Sequence, residues 1–250
     1  MRDKVALVTG AASGIGSATA AALGRDGARV LVCDIAEDAG NRVTQTITAA
    51  GGLASFFHLD VREAARHLLA VEEAQRLYGG LDIAVNCAGI SVGSSGVQRP
   101  VHEVDVQDWL QILDVNVNGM FYGIKAQVPA MRARGGGSIV NVGSVMSVVA
   151  RTQLSAYVAS KHAVLGLTKA AALDCAPHGI RVNSVGPGYV DTPLLAGKDD
   201  QTRRAYAELH PLNRMATAQE VAGTVLWLSG DSSSFSTGAH YAVDGGYTVQ

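Results

Sequence analysis

The chain alternates between two hydrophobic patterns. Short apolar runs rich in Val, Ile and Leu recur at Val5–Thr9, Arg29–Cys33, Ala54–Leu59, Ile83–Asn86, Ser138–Val142, Arg181–Val185 and His240–Val243. Between them lie stretches with helical spacing near 15–25, 37–50, 62–77, 105–133, 153–175 and 219–229. The short runs lack strict apolar/polar alternation, as expected of strands covered on both faces. Strands interleaved with helices of this length predict βαβ units, and so an α/β fold of about seven parallel strands with helices on both faces. No Pro/Ser-rich linker or repeat divides residues 1–250, so one domain is expected. Two segments fall outside the alternation: Ser91–Gly96 with the following Val97–Val104, and the long, charged Thr192–Arg214. Loops of that length in a compact domain are functional or mobile, and 192–214 reads as a substrate lid.

Composition narrows the class. The 250 residues are 48% hydrophobic and 17% charged, with a formal net charge of −2. With no long Lys/Arg run, the chain carries no electrostatic footprint for nucleic acid. No segment has the length of a membrane span or the apolar core of a signal peptide, and a cytoplasmic protein is expected. The three cysteines, Cys33, Cys87 and Cys175, lack CxxC spacing and read as small buried residues. The seven histidines show no HxxxH or HxH pairing, so no zinc-type site is suggested.

The first strand runs into "TGAASGIG", with glycines at Gly10, Gly14 and Gly16 around Ala12, Ser13 and Ile15. Glycines there permit a tight turn and close approach of backbone to a pyrophosphate, and the helix that follows offers free N–H groups and a positive dipole end. Asp34 closes the second strand and can accept hydrogen bonds from ribose hydroxyls while repelling a 2′-phosphate. Ile35 follows it, and no cation stands nearby in sequence to pair with such a phosphate, which favours NAD. Asp60-Val61 after the third strand and Asn86–Gly89, with Ala88, after the fourth also occupy carboxyl ends of strands. That is where an open Rossmann-type sheet binds its ligand.

"SAYVASKHAV" sets Tyr157 and Lys161 about one helical turn apart on one face. Alone, YxxxK reads better as a helix edge with a solvated lysine than as chemistry. Ser144, just past the fifth strand, lies thirteen residues before Tyr157, so both can reach the sheet's carboxyl edge. A phenol with pKa about 10 is a poor base at neutral pH. An ammonium about 4 Å away, at an effective dielectric near 20, contributes up to about 4 kcal/mol and would lower the phenol by about three units.

In this order and spacing the motifs resemble the short-chain dehydrogenase/reductase family over essentially the whole chain. The resemblance rests on TGxxxGxG at Thr9–Gly16, the NNAG-like Asn86–Gly89 and Asn116 in "LDVNVNG". It rests also on Ser144, Tyr157-x-x-x-Lys161, and Pro187-Gly188 followed by Thr192. Cys87 replaces the second Asn of NNAG, and Gly143 precedes Ser144 where a second Ser is common. The resemblance implies an NAD(H)-dependent oxidoreductase acting on secondary alcohols and ketones. Tyr157 would be the general acid/base, and Lys161 would lower its pKa and hold the nicotinamide ribose. Ser144 would bond the substrate oxygen. Asn116 would hold a proton-relaying water, unless it serves only to bend its helix. Pro187, Gly188, Val190 and Thr192 would complete the cofactor site.

Expected substrate lining is Ser144, Val145, Met146, Val149, Gln153, Tyr189, Leu194 and Leu195, together with Ser91–Ser94. That mainly apolar set favours cyclic or medium-sized alcohols over hydroxy acids and polyols, with Arg151 close enough in sequence to leave a carboxylate contact open. Competing expectations are a 3-oxoacyl-carrier-protein reductase and a catalytically silent NAD(H)-binding regulator. Asp105, Asp108, Glu208 and Glu220 read as helix-end or surface charges. The helix at 153–175 is apolar on more than one face, which implies a neighbouring subunit. The resemblance implies a homotetramer, and the ending "DGGYTVQ" implies a structural Mg²⁺ near Gln250.

Overall fold

The computed structural model describes residues 1–195 and 197–250. Seven strands form one parallel sheet: β1 Val5–Thr9, β2 Arg29–Asp34, β3 Leu53–His58, β4 Ile83–Asn86, β5 Gly137–Val142, β6 Ile180–Pro187 and β7 His240–Val243, in the order β3-β2-β1-β4-β5-β6-β7. Helices α1 Gly14–Arg25, α2 Glu37–Ala49, α3 Ala64–Tyr78, α4 Val106–Leu113, α5 Gly119–Ala133, α6 Ser155–Cys175, α7 Asp200–Glu208 and α8 Ala218–Ser229 complete the chain. Every predicted strand run forms a strand, with ends shifted by a few residues.

Strand residues divide by parity between two cores. Val5, Leu7, Leu31, Cys33, Ala84, Ile139 and Val182 belong to one apolar cluster, and Ala6, Val8, Val30, Val32, Ile83, Val85 and Val140 to the other. Both sheet faces are therefore dry, which explains the missing alternation in the sequence. The chain crosses over between β3 and β4, which lie at opposite flanks of the β2-β1 pair. The strand order thus reverses between β1 and β4, and the crevice outside their carboxyl ends is the place such a sheet offers a ligand.

Two expectations need correction. The helical stretch at 105–133 is not one helix: a π-helical turn at Asp114–Asn118 separates α4 from α5. The extra residue per turn places Asn116 inward, 1% exposed, and such turns concentrate at functional sites. The 192–214 segment is not an open loop; within it Pro193–Leu195 forms a short 3₁₀ turn and Asp200–Glu208 forms α7, capped by the Asp199 carboxylate. Residue 196 of that expected lid lies outside the described residues. No helix among the described residues is long and apolar enough to cross a membrane.

Candidate active site

A cavity of about 830 Å³ runs along the carboxyl ends of the strands. At one end it is walled by Gly10, Ser13, Gly14, Ile15, Gly16, Asp34, Ile35, Asp60 and Val61, and at its middle by Cys87, Ala88, Gly89, Pro187, Gly188, Val190 and Thr192. At the other end stand Ser144, Val145, Met146, Tyr157, Lys161, Tyr189, Leu194 and Leu195. The cavity thus brings most of the expected cofactor and substrate residues to one continuous surface.

The glycine turn is built for close approach. Gly10 and Gly14 have φ of +65° and +51°, a region that favours glycine. A Cβ on Gly16 would lie 2.1 Å from the Gly10 carbonyl oxygen, so only glycine lets α1 start directly against the end of β1. Ser13 precedes α1 without capping it through its side chain. The first-turn N–H groups of α1 are left without that partner beside the cavity, as a helix N-terminus that receives phosphate requires. Ala12 turns its N–H elsewhere, donating to Asp34 Oδ2 at 2.9 Å, while Ala36 N–H donates to Asp34 Oδ1 at 3.0 Å. These bonds fix the carboxylate against the turn and leave further lone pairs for ribose hydroxyls. Donor set, cradle and acid together fit a dinucleotide.

Some residues are placed differently from expectation. Asn86 faces the interior: it donates to Asn141 Oδ1 at 3.0 Å and accepts from Gln127 Nε2 at 2.9 Å, and Asn141 in turn donates to Thr168. This network ties β4 to β5, α5 and α6, and Cys87 takes the cavity position beside it. Burial pushes the Cys87 thiol up to about 12, so it stays protonated. Thr9 Oγ1 accepts from Cys87 N–H at 3.2 Å and Ala88 N–H at 3.4 Å, joining the β1 and β4 loops. Asp60 is held by Arg62, whose hydrogen bonds keep its carboxyl below the usual range. Val149 and Gln153 do not line the main cavity; Gln153, in the left-handed region at φ +63°, borders a small recess behind Tyr157 instead.

At the substrate end Ser144 begins the short turn Val145–Ser147. Its Oγ accepts from Met146 N–H at 3.1 Å, and Ser144 N–H donates to Ser147 Oγ at 3.2 Å. The oxygen is pinned while the hydroxyl proton stays available to a substrate oxygen. Lys161, 4% exposed, donates from Nζ to the Val142 carbonyl at 3.0 Å. Asn116 grips the chain after β4: Oδ1 accepts from Ile90 N–H, and Nδ2 donates to the Ile90 carbonyl, both at 2.9 Å, and to Ser160 Oγ at 3.0 Å. Its amide groups thus brace the loop after β4 against α6. A Cβ on Gly89 would be 3.2 Å from Asn116 Oδ1 and 3.6 Å from Lys161 Nζ, so this glycine leaves their approach clear.

The electrostatics depart from the simple sequence argument. Lys161 Nζ lies 5.6 Å from the centroid of the Tyr157 ring. Burial pushes the Tyr157 phenol above its usual value, with the Ser144 hydroxyl acting more weakly in the opposite direction. Burial also lowers Lys161 to about 8. Desolvation is thus the largest influence on the phenol, and the Ser144 hydroxyl opposes it.

Sequence reasoning missed several residues. Leu154, Lys198 and Tyr206 line the cavity, as does Arg151, whose place in the sequence leaves such a contact open. Asp108 is buried rather than superficial: it accepts from Ser95 N–H at 3.1 Å, from Ser94 Oγ at 3.2 Å and from Ser95 Oγ, and so closes the loop above the site. Those donors, Ser95 foremost, hold its carboxyl below the usual range. His210 bridges two segments, its Nδ1 bonded to the Tyr206 carbonyl at 2.8 Å and its Nε2 accepting from Tyr189 N–H at 3.1 Å. The metal expected at Gln250 has no support here: Gln250 Nε2 donates to the Leu209 carbonyl at 2.8 Å, and no group of three His, Cys, Asp or Glu among the described residues could hold an ion.

Comparison with known proteins gives a consistent pattern. The family model described as enoyl-(acyl carrier protein) reductase matches residues 10–248. A cyclohexanol dehydrogenase of Acinetobacter sp. (strain SE19) is 44% identical over 98% of this chain and 95% of its own. A trans-4-hydroxycyclohexanecarboxylate dehydrogenase of Sinomonas cyclohexanicum is 42% identical over 99% of this chain and 93% of its own. Among solved structures, a short-chain type dehydrogenase/reductase from Mycobacterium marinum superposes with a TM-score of 0.93 at 36% identity, covering 100% of this chain and 97% of that one.

Proposed function

Because this chain belongs to the short-chain dehydrogenase/reductase family, we propose that it is an NAD(H)-dependent dehydrogenase of secondary alcohols, cyclic ones foremost, reducing the matching ketones in reverse. One observation carries the reading: a single cavity has the glycine turn and Asp34 at one end and Ser144, Tyr157 and an apolar wall at the other. The bound nicotinamide supplies the hydride acceptor in oxidation and the donor in reduction. Gly10–Gly16 and the start of α1 hold the pyrophosphate, and Asp34 holds the adenosine ribose. Lys161 and Thr192 border the nicotinamide half.

Ser144 donates its hydroxyl proton to the substrate oxygen and so fixes that oxygen beside Tyr157. Tyr157 Oη takes the alcohol proton in oxidation and returns it in reduction. Lys161, anchored on Val142, supplies positive charge near the phenol that grows in effect as the phenolate forms. Val145, Met146, Leu194 and Leu195 exclude water from the carbinol and accept a hydrocarbon body. In solution we place the chain as a homotetramer, which the exposed Phe121 and Leu173 on α5 and α6 suit.

Following NADH absorbance over a panel of cyclic, linear and aryl secondary alcohols, sugars and 3-hydroxyacyl thioesters tests this. Efficiency is expected to rise with apolar size, by about 0.8 kcal/mol per buried methylene until the lid no longer closes. A sugar or a thioester as best substrate would overturn the assignment.

A further inference from the structure

Two arginines among the described residues line the cavity. Arg62 pairs with Asp60. Arg151 differs. It lines the cavity that holds Ser144 and Tyr157, yet no carboxylate among the described residues lies in ion-pair range of it. Its partners are aromatic: Nη1 donates to the Tyr189 hydroxyl, and the guanidinium carbon lies 5.6 Å from the Tyr189 ring centroid and 5.2 Å from that of Tyr206. The two rings stack at 4.2 Å and 11°, so together they form one rigid shelf reaching from the end of β6 to α7.

A guanidinium braced on aromatic faces keeps its charge and most of its five donors. Those donors are directed in a planar fork that matches a carboxylate, and the shelf holds the fork in place before anything binds. Lys198, on the lid side of the same cavity, adds positive charge. Val145, Met146, Leu154, Leu194 and Leu195 give the wall between them an apolar character.

We infer that Arg151 is the anchor for an anionic group at the far end of the substrate, so that the preferred substrate is a cyclic secondary alcohol carrying a carboxylate away from the reacting carbon. This rests on the dehydrogenase reading above and narrows it. Without an anion, Arg151 is a charge in an apolar wall; with one, its donors are filled and the ring is held at both ends, hydroxyl on Ser144 and Tyr157, carboxylate on Arg151.

The test compares 4-hydroxycyclohexanecarboxylate with its methyl ester, which differ in charge at one end only. The wild-type enzyme is expected to prefer the acid by at least about tenfold in kcat/KM, the range of a charge-assisted contact. Arg151→Gln should collapse that ratio to about one, through KM of the acid, and Arg151→Lys should retain part of it. An ester used as well as the acid by the wild type overturns the anchor. So does a ratio that survives in Arg151→Gln, since Arg151 would then only brace the lid.

A binding measurement separates this from the reaction assignment. Cyclohexanecarboxylate, which cannot react, should bind the enzyme–NADH complex calorimetrically and lose that affinity by at least about tenfold in Arg151→Gln. Such binding without turnover of any alcohol would sink the dehydrogenase reading and leave the anchor standing. Turnover of cyclohexanol without such binding would do the reverse.

Discussion

The Lys161 ammonium reaches Val142 O at 3.0 Å and lies over the Tyr157 ring, 5.6 Å from its centroid. One buried cation thus links a strand end to the candidate base. Its ordinary value of 10.5 falls to about 8 because burial penalises the charge. The unfolded chain therefore binds more protons between pH 8 and 10.5, and stability rises with pH across that window. Below pH 8 the cost is constant. Lys161→Met should then be more stable than wild type at pH 7 by about 2 kcal/mol, after subtracting the lost hydrogen bond to Val142, with loss of turnover. Melting curves should show the gain shrinking as pH rises from 8 and reversing sign by about pH 10.5, where only the lost hydrogen bond remains. A gain that is the same at pH 7 and pH 10.5 would disprove the desolvation account.

Tyr157→Phe removes only the proton-transfer group. Turnover should fall by at least about a thousandfold, while NADH affinity, read by fluorescence, stays within about threefold. Retention of a tenth of wild-type kcat would exclude Tyr157 as the acid/base.

Asp34 should set the cofactor. NAD is expected to be preferred over NADP by at least about tenfold, or 1.4 kcal/mol. The double variant Asp34→Ala, Ile35→Arg should move the preference toward NADP and melt lower, because the N–H groups of Ala12 and Ala36 lose their acceptor. Equal kcat/KM for both cofactors in the wild type would remove the argument.

Gly16→Ala should damage cofactor binding far more than an ordinary helix substitution. The new methyl would stand 2.1 Å from Gly10 O and 3.1 Å from Ala11 Cα, so the turn must open. NADH affinity should drop by at least about a hundredfold, or 2.7 kcal/mol. Unchanged affinity in a folded variant would mean that the turn does not carry the phosphates.

Asn116→Ala tests the π-helical turn. It leaves the half-buried N–H and C=O of Ile90 without their side-chain partner, at about 1–3 kcal/mol. Denaturant unfolding should show that loss together with a lower kcat. A variant as stable as wild type would mean that Asn116 does not brace the loop.

What the sequence determined by itself is what depends on neighbours in the chain. Apolar runs such as Val5–Thr9 read as buried strands, "TGAASGIG" as a strand–turn–helix, Asp34 as a strand-end acid, and Tyr157 with Lys161 as one helix face, because these follow from backbone periodicity and steric limits. The sheet order then brings those strand ends together. The tertiary structure alone decided which polar groups satisfy one another. Asn86 turned inward because Gln127 and Asn141, 41 and 55 residues away, supplied partners. Asp108 was drawn into the fold by Ser94 and Ser95. The continuous helical pattern of 105–133 broke because Asn116 gained more from Ile90 and Ser160 than a regular turn offers. Lys161 and Tyr157 both lost solvation on burial, which no spacing records. Arg151 met its aromatic shelf only when β6 and α7 folded together. Buried polar groups must be paired wherever the fold can pair them, and sequence distance carries no trace of that requirement.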